Sequence, residues 1–142
     1  MADEHLLTDI ALRLHMADAR PVYTVDNDGR DVTLVSGRAN LAQAILMRVL
    51  TPMGELAALA HPDYGCRLWG LVGRPNTATT RNLIKLHILE ALALEPRIAK
   101  VLRVSVDDVP GTRGTVAVEV AVQPVAATTQ VVIGPFTLEV TP

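Results

Sequence analysis

Two prolines constrain this chain's fold more than any other feature, because each closes a helical run. Pro52 disfavours helical geometry at Thr51, and Pro96 fixes the backbone where the pattern turns from helical to extended. Before Pro52, the apolar residues at 41, 45, 46, 49 and 50 fall on one helical stripe, with Asn40, Gln43 and Arg48 at polar positions. Ser36-Gly37 is the expected start, the Ser36 hydroxyl covering orphan backbone N–H groups. Residues 55–60 suit a short turn of helix. Before Pro96, a second helix is expected from a cap at Thr79 or Thr80 to about Leu94. Leu83, Ile84, Leu86, Ile88, Leu89 and Leu92 cover more than one of its faces, so burial on most sides is expected. Either the sheet and the first helix supply that cover, or part of it comes from another chain.

Outside the helical runs the period is two. Ile10, Leu12 and Leu14 alternate with Ala11 and Arg13, as in a half-buried strand. Val22 to Val25 is a second β-rich run, Asp26-Asn27-Asp28-Gly29 is turn chemistry, and Asp31 to Val35 reads as the return strand of a hairpin. After Pro96 come an alternating run over 101–106, a turn at Asp107 to Gly111, and a Val/Ala-rich strand from Thr115 to Val125. A last strand spans roughly 130–140. Gly134-Pro135 interrupts it, and proline cannot donate to a sheet ladder, so a bulge or an edge is expected there. The fold class is α+β: an N-terminal β-hairpin, two main helices, then a three-stranded antiparallel meander with an exposed C-terminal strand. A length of 142 residues fits one domain over 1–142, large enough to bury a core without disulfide or metal.

Composition narrows the function. Aromatic residues are 3% of the chain (Tyr23, Tyr64, Trp69 and Phe136), so the core is aliphatic. Thirteen basic and 15 acidic residues give a net charge of −2, without the clustered cations that phosphate neutralisation requires, so no nucleic acid is expected as partner. Eleven of the 13 basic residues are Arg, which suits bidentate pairing at interfaces and equally suits a GC-rich genome. The single cysteine, Cys66, excludes an internal disulfide and fits a reducing compartment. Met1 to His5 lacks the basic start of a secretory signal, and no run of about 18 apolar residues exists, so no membrane insertion is expected. The chain reads as made in the cytoplasm and reaching its partners by assembly.

No catalytic constellation stands out, and no cofactor or metal is expected. Neither serine, Ser36 nor Ser105, lies in a Gly-x-Ser-x-Gly context. His5, His15, His61 and His87 lack metal-ligand spacing with one another or with Cys66. Gly65 to Val72 lacks the Lys-Ser/Thr pair of a phosphate loop. Asp107 and Asp108 read as a solvated turn. Glu55 and Glu95 are the one candidate carboxylate pair of glycosidase type, with nothing to fix their separation.

One ordered set of motifs does carry information. Thr51-Pro52-Met53-Gly54-Glu55-Leu56 is followed by Pro62-Asp63-Tyr64-Gly65 and Leu68, then by Glu95-Pro96-Arg97-Ile98 and at once a strand. With Gly37 to Ala44 upstream, this order resembles the baseplate wedge and sheath-initiator family of contractile injection machines, whose members are also called lysozyme-like. The resemblance covers roughly residues 30–125, leaving 126–142 as the C-terminal strand. It implies a structural, non-enzymatic component of a phage tail or tail-like particle. It also implies that Glu95, Pro96 and Arg97 contact the helical core bundle of larger wedge subunits. The bland alternative is a helix stop whose exposed charges contribute about 0–1 kcal/mol. Tyr64, Arg67 and Trp69, with Arg74 nearby, form a Gly-rich candidate interface loop, although Trp69 equally suits the core. The resemblance further implies strand pairing with the sheath protein through Val131, Val132, Ile133, Phe136, Leu138 and Val140. Hub or tube proteins are further expected partners, with six copies per baseplate. An unrelated oligomerising domain and a cell-wall hydrolase are the other readings.

Overall fold

A computed structural model of the chain describes residues 6–17, 20–27, 29 and 31–140. Met1 to His5, and Asp28 within the expected turn, lie outside the described residues. In chain order the elements are β1 (Thr8–Ile10), β2 (Leu12–Ala17), β3 (Arg20–Val25), β4 (Leu34–Ser36), α1 (Gly37–Leu50) and α2 (Ala78–Leu92). The strands β5 (Ile98–Asp108), β6 (Thr115–Pro124) and β7 (Val131–Glu139) follow. Two short 3-10 turns, Ala57–Leu59 and Arg67–Leu71, lie between the helices.

The expected hairpin joining Val22–Val25 to Asp31–Val35 is not the one that forms. β3 pairs with β2, from Leu12↔Val25 to Ala17↔Arg20, and β4 pairs with β1, so one antiparallel pair is nested inside the other. Among the described residues a single bridge, Asn27↔Val32, remains of the expected pairing, with Gly29 N–H donating to Asn27 Oδ1. Two residues separate β2 from β3, and so short a connection has the smaller closure entropy and the commonest hairpin length. Gln43 of α1 bridges the break at Ala11. Its Oε1 accepts from Leu12 N–H and its Nε2 donates to the Ile10 carbonyl, both at 2.9 Å. A side-chain amide thus stands in for a rung of sheet and ties the N-terminal strands to the first helix.

The first helix starts at Ser36-Gly37 as expected, but the capping of both helices differs from expectation. Ser36 sits at the N-cap of α1 without a side-chain bond, and Gly37 N–H is satisfied by the Leu7 carbonyl. Thr77 caps α2, its hydroxyl accepting from Thr80 N–H at 3.1 Å. The α1 stripe is as expected, with Leu41, Ile45, Val49 and Leu50 buried and Thr51 extended before Pro52. α2 buries one stripe, Thr80, Ile84, Ile88, Ala91 and Leu92, while Leu86 and Leu89 remain 47% and 42% exposed. The helix is therefore not buried on most sides. β5, α1 and the Arg67–Leu71 turn reach only its inner face.

The three-stranded sheet is a meander ordered β5-β6-β7. Val116, Val118, Val120 and Val122 of the central strand are fully buried and form the floor on which the helices pack. β7 is an edge, as the proline predicts, and its register with β6 shifts between Val118 and Val120, opposite Gly134-Pro135. Asp107 and Asp108 end β5 rather than lying in a turn. Asp108 Oδ1 accepts from Asn76 Nδ2 at 2.6 Å and from Arg81 Nη1 at 3.3 Å, fastening the strand to the start of α2.

Candidate assembly site at the Glu95–Pro96–Arg97 corner

The sequence motifs that stand apart in the chain meet in space. Cys66 N–H donates to the Thr51 carbonyl at 2.8 Å, Met53 N–H to Cys66 at 3.2 Å and Gly54 N–H to Tyr64 at 3.4 Å, so the segment after α1 is zipped to 64–66. Gly65 is required at that seam. Its φ is +116°, and a Cβ there would lie 2.6 Å from the Thr51 carbonyl oxygen and 2.7 Å from that of Pro52. This seam places Tyr64 beside the end of α1 and, with it, beside the end of α2.

Glu95 lies at the bottom of the corner, only 6% exposed. Arg97 grips it with Nε on Oε1 at 2.7 Å and Nη2 on Oε2 at 3.2 Å, and adds its backbone N–H to Oε1 at 3.3 Å. Arg97 Nη1 reaches the carbonyl of buried Leu6 at 3.4 Å, an oxygen that also accepts from Asn40 Nδ2 at 3.0 Å. Arg48 approaches from α1, its Nη2 3.7 Å from Glu95 Oε2 and its guanidinium 4.7 Å from the centre of the Tyr64 ring. Burial works to raise the Glu95 carboxyl, but the hydrogen bonds and charge of Arg97, with Arg48 behind them, hold it below the usual carboxylate value. Burial raises the Tyr64 hydroxyl, and burial followed by the proximity of Tyr64 pushes Tyr23 up to about 12.

The expected interface residues thus have unequal positions. Glu95 and Arg97 neutralise each other inside the chain, and Pro96 is exposed. Tyr64 is half-buried under Arg48. Arg67 is exposed, in the wall of a depression of about 270 Å³ shared with Met53, His87 and Leu94. Trp69 is half-buried against the core, so the loop does not present it as a free anchor, and its indole N–H has no partner among the described residues. Arg48 was not singled out as a site residue by the sequence. Its one signal was a basic residue in the last turn of α1, three positions before the Thr51-Pro52 motif.

In β7 and just after it, the side chains of Val131, Ile133, Leu138 and Val140 enter the chain's own core. Phe136 packs partly against that core, and Val132 faces out. The outer edge of the strand pairs with no other strand among the described residues.

Glu95 does not suit the general-acid role of a hydrolase. A general acid needs a carboxyl held protonated near neutral pH, and Arg97 holds Glu95 in the opposite state. Among the described residues no three His, Cys, Asp or Glu side chains gather as a metal site. Cys66 is buried, its thiol pushed up to about 11 by burial, and its Sγ lies 3.3 Å from the His87 carbonyl.

The described residues thus combine a buried ion cluster at the end of α2 with a sheet edge that pairs with no other strand. The family model described as baseplate wedge protein gp25 matches residues 35–128, and the chain belongs to that family. Its role is that of a structural baseplate component of a contractile machine. A solved structure described as a tail lysozyme from Geobacter sulfurreducens aligns with a TM-score of 0.62 at 25% identity, over 79% of this chain and 98% of that one. Comparison with curated proteins gives no match. The family match holds both helices, the corner, β5 and β6, and ends before β7.

Proposed function

We propose that the chain docks onto the helical core bundle of larger wedge subunits through the Glu95–Pro96–Arg97 corner, and starts the sheath by pairing β7 with a sheath strand. The observation that carries the second half is the outer edge of β7. Unpaired N–H and C=O groups along an edge accept an added strand, and charged side chains are the usual guard against it. β5, the other edge, carries Lys100, Arg103, Asp107 and Asp108, whereas Glu139 is the only charge in β7. Because Val131, Ile133, Leu138 and Val140 face inward, pairing is through the backbone, with Val132 as the exposed apolar contact. The corner supports the first half, since the grip of Arg97 on Glu95 holds the backbone at Pro96 in a fixed shape for a partner to meet. Six copies per baseplate, and contact with hub or tube proteins, belong to the same proposal.

Co-expression of this chain with the sheath protein and large wedge subunits of the same contractile machine is the test. The expected result is co-purification with the wedge subunits, and sheath recruited to that complex. A chain that purifies alone under these conditions contradicts the proposal.

A further inference from the structure

The corner is not electrically closed. Arg48, Glu95 and Arg97 bring together two cations and one anion. Arg97 is engaged on Nε, Nη1 and Nη2 by Glu95 and the Leu6 carbonyl. Arg48 is not. Its 3.7 Å approach to Glu95 exceeds hydrogen-bonding distance, and its Nε is buried without a hydrogen-bond partner among the described residues. Among the described residues its guanidinium has only that ion contact and the Tyr64 ring. A guanidinium carries five N–H donors, and buried donors are nearly always hydrogen-bonded.

Arg48 also borders open space. A shallow depression of about 310 Å³ is walled by Arg48, Tyr64, His61, Pro62, Asp63 and Leu94. We propose that Arg48 is the docking point for a carboxylate side chain of the partner bound at the corner, received in this depression between Tyr64 and Leu94. The proposal rests on the wedge-binding reading and names the chemistry that reading requires.

Three features favour a carboxylate. The cluster has an excess of one positive charge. The planar fork of a guanidinium matches the two oxygens of a carboxylate, and the Tyr64 ring beneath the Arg48 guanidinium limits where that fork can go. Leu94, 54% exposed, offers an apolar ledge for the stem of a glutamate. Asp63 is the one carboxylate in the wall. It forms no ion pair with Arg48 within 4.0 Å, and it competes with an incoming carboxylate for the same cation.

The test has two arms. In the first, the isolated chain is titrated with hexaglutamate peptide against sodium chloride of matched ionic strength. The NMR signals of the Arg48 Nε–Hε group and the Tyr64 ring are followed. A saturable shift with the peptide alone is expected, tighter in Asp63→Asn, with no Tyr64 response in Arg48→Lys. Equal responses to peptide and chloride, or a Tyr64 response unchanged by Arg48→Lys, overturn the proposal. In the second arm, Arg48→Lys keeps a cation beside Glu95 and is expected to melt as the wild type does while binding wedge subunits at least tenfold more weakly. Binding within twofold of wild type overturns the proposal. A wild-type chain that responds to hexaglutamate but does not bind wedge subunits defeats the wedge reading alone.

Discussion

Glu95→Gln is expected to destabilise the chain by about 3–5 kcal/mol, because it leaves two largely buried guanidinium groups facing a neutral amide. For a domain of this size that loss corresponds to a melting temperature lower by about 10–20 °C. Acid should do reversibly what the substitution does permanently. The folded-state pKa of Glu95 lies below its value in the unfolded chain. Its contribution is therefore fully present above the unfolded value of about 4.3 and is lost as pH falls through the folded one. Denaturant midpoints measured between pH 7 and pH 3 should fall for the wild type and change less for Glu95→Gln. A Glu95→Gln midpoint equal to the wild type at pH 7 would show that the cluster carries no stability.

The cluster also changes how an assembly defect at the corner must be read. Arg97→Ala removes the grip on Glu95 and a bond to the Leu6 carbonyl, so it weakens the fold as well as the surface. A triple variant, Arg48→Met with Glu95→Leu and Arg97→Leu, separates the two effects. Replacing a whole buried ion cluster by apolar groups is often neutral or stabilising. That variant should fold and fail to bind wedge subunits.

Removing 130–142 should unfold the chain rather than merely detach it from the sheath. Val131, Ile133, Leu138 and Val140 are all buried, and at about 1.5–3 kcal/mol for each side chain their combined burial rivals the whole stability of an ordinary domain. The expected result is loss of a cooperative melting transition in circular dichroism. A truncated chain that melts near the wild-type temperature would mean that β7 is an appendage and not part of the core.

The period of the apolar residues made both helices and the β5–β7 meander legible, because each buries one stripe or one face. The N-terminal pairing was not legible. Strand runs at 10–14, 22–25 and 31–35 are similar in character, and which two pair depends on loop closure and on Gln43, a long-range contact with no local signature. The motif set Thr51-Pro52, Pro62 to Gly65 and Glu95 to Arg97 was visible as an order of residues. Its physical cause, the close approach of Gly65 to the Thr51–Pro52 backbone, is visible only in three dimensions. Glu95 and Arg97 looked like charges offered outward, because a sequence does not show that a carboxylate two residues from an arginine is folded under it. Arg48 looked like one more polar position on α1, since its importance comes from Tyr64 and Glu95, which lie 16 and 47 residues away.

The proposed start of the sheath on this chain is tested most directly at the outer edge of β7. Val132→Lys with Thr137→Lys puts two charges on exposed positions of that strand and leaves its buried residues untouched. Electron micrographs of particles carrying this variant should show intact baseplates with naked tubes, or sheath assembled away from the baseplate. The isolated variant should melt as the wild type does. Full-length sheath starting at the baseplate in these particles would contradict the account.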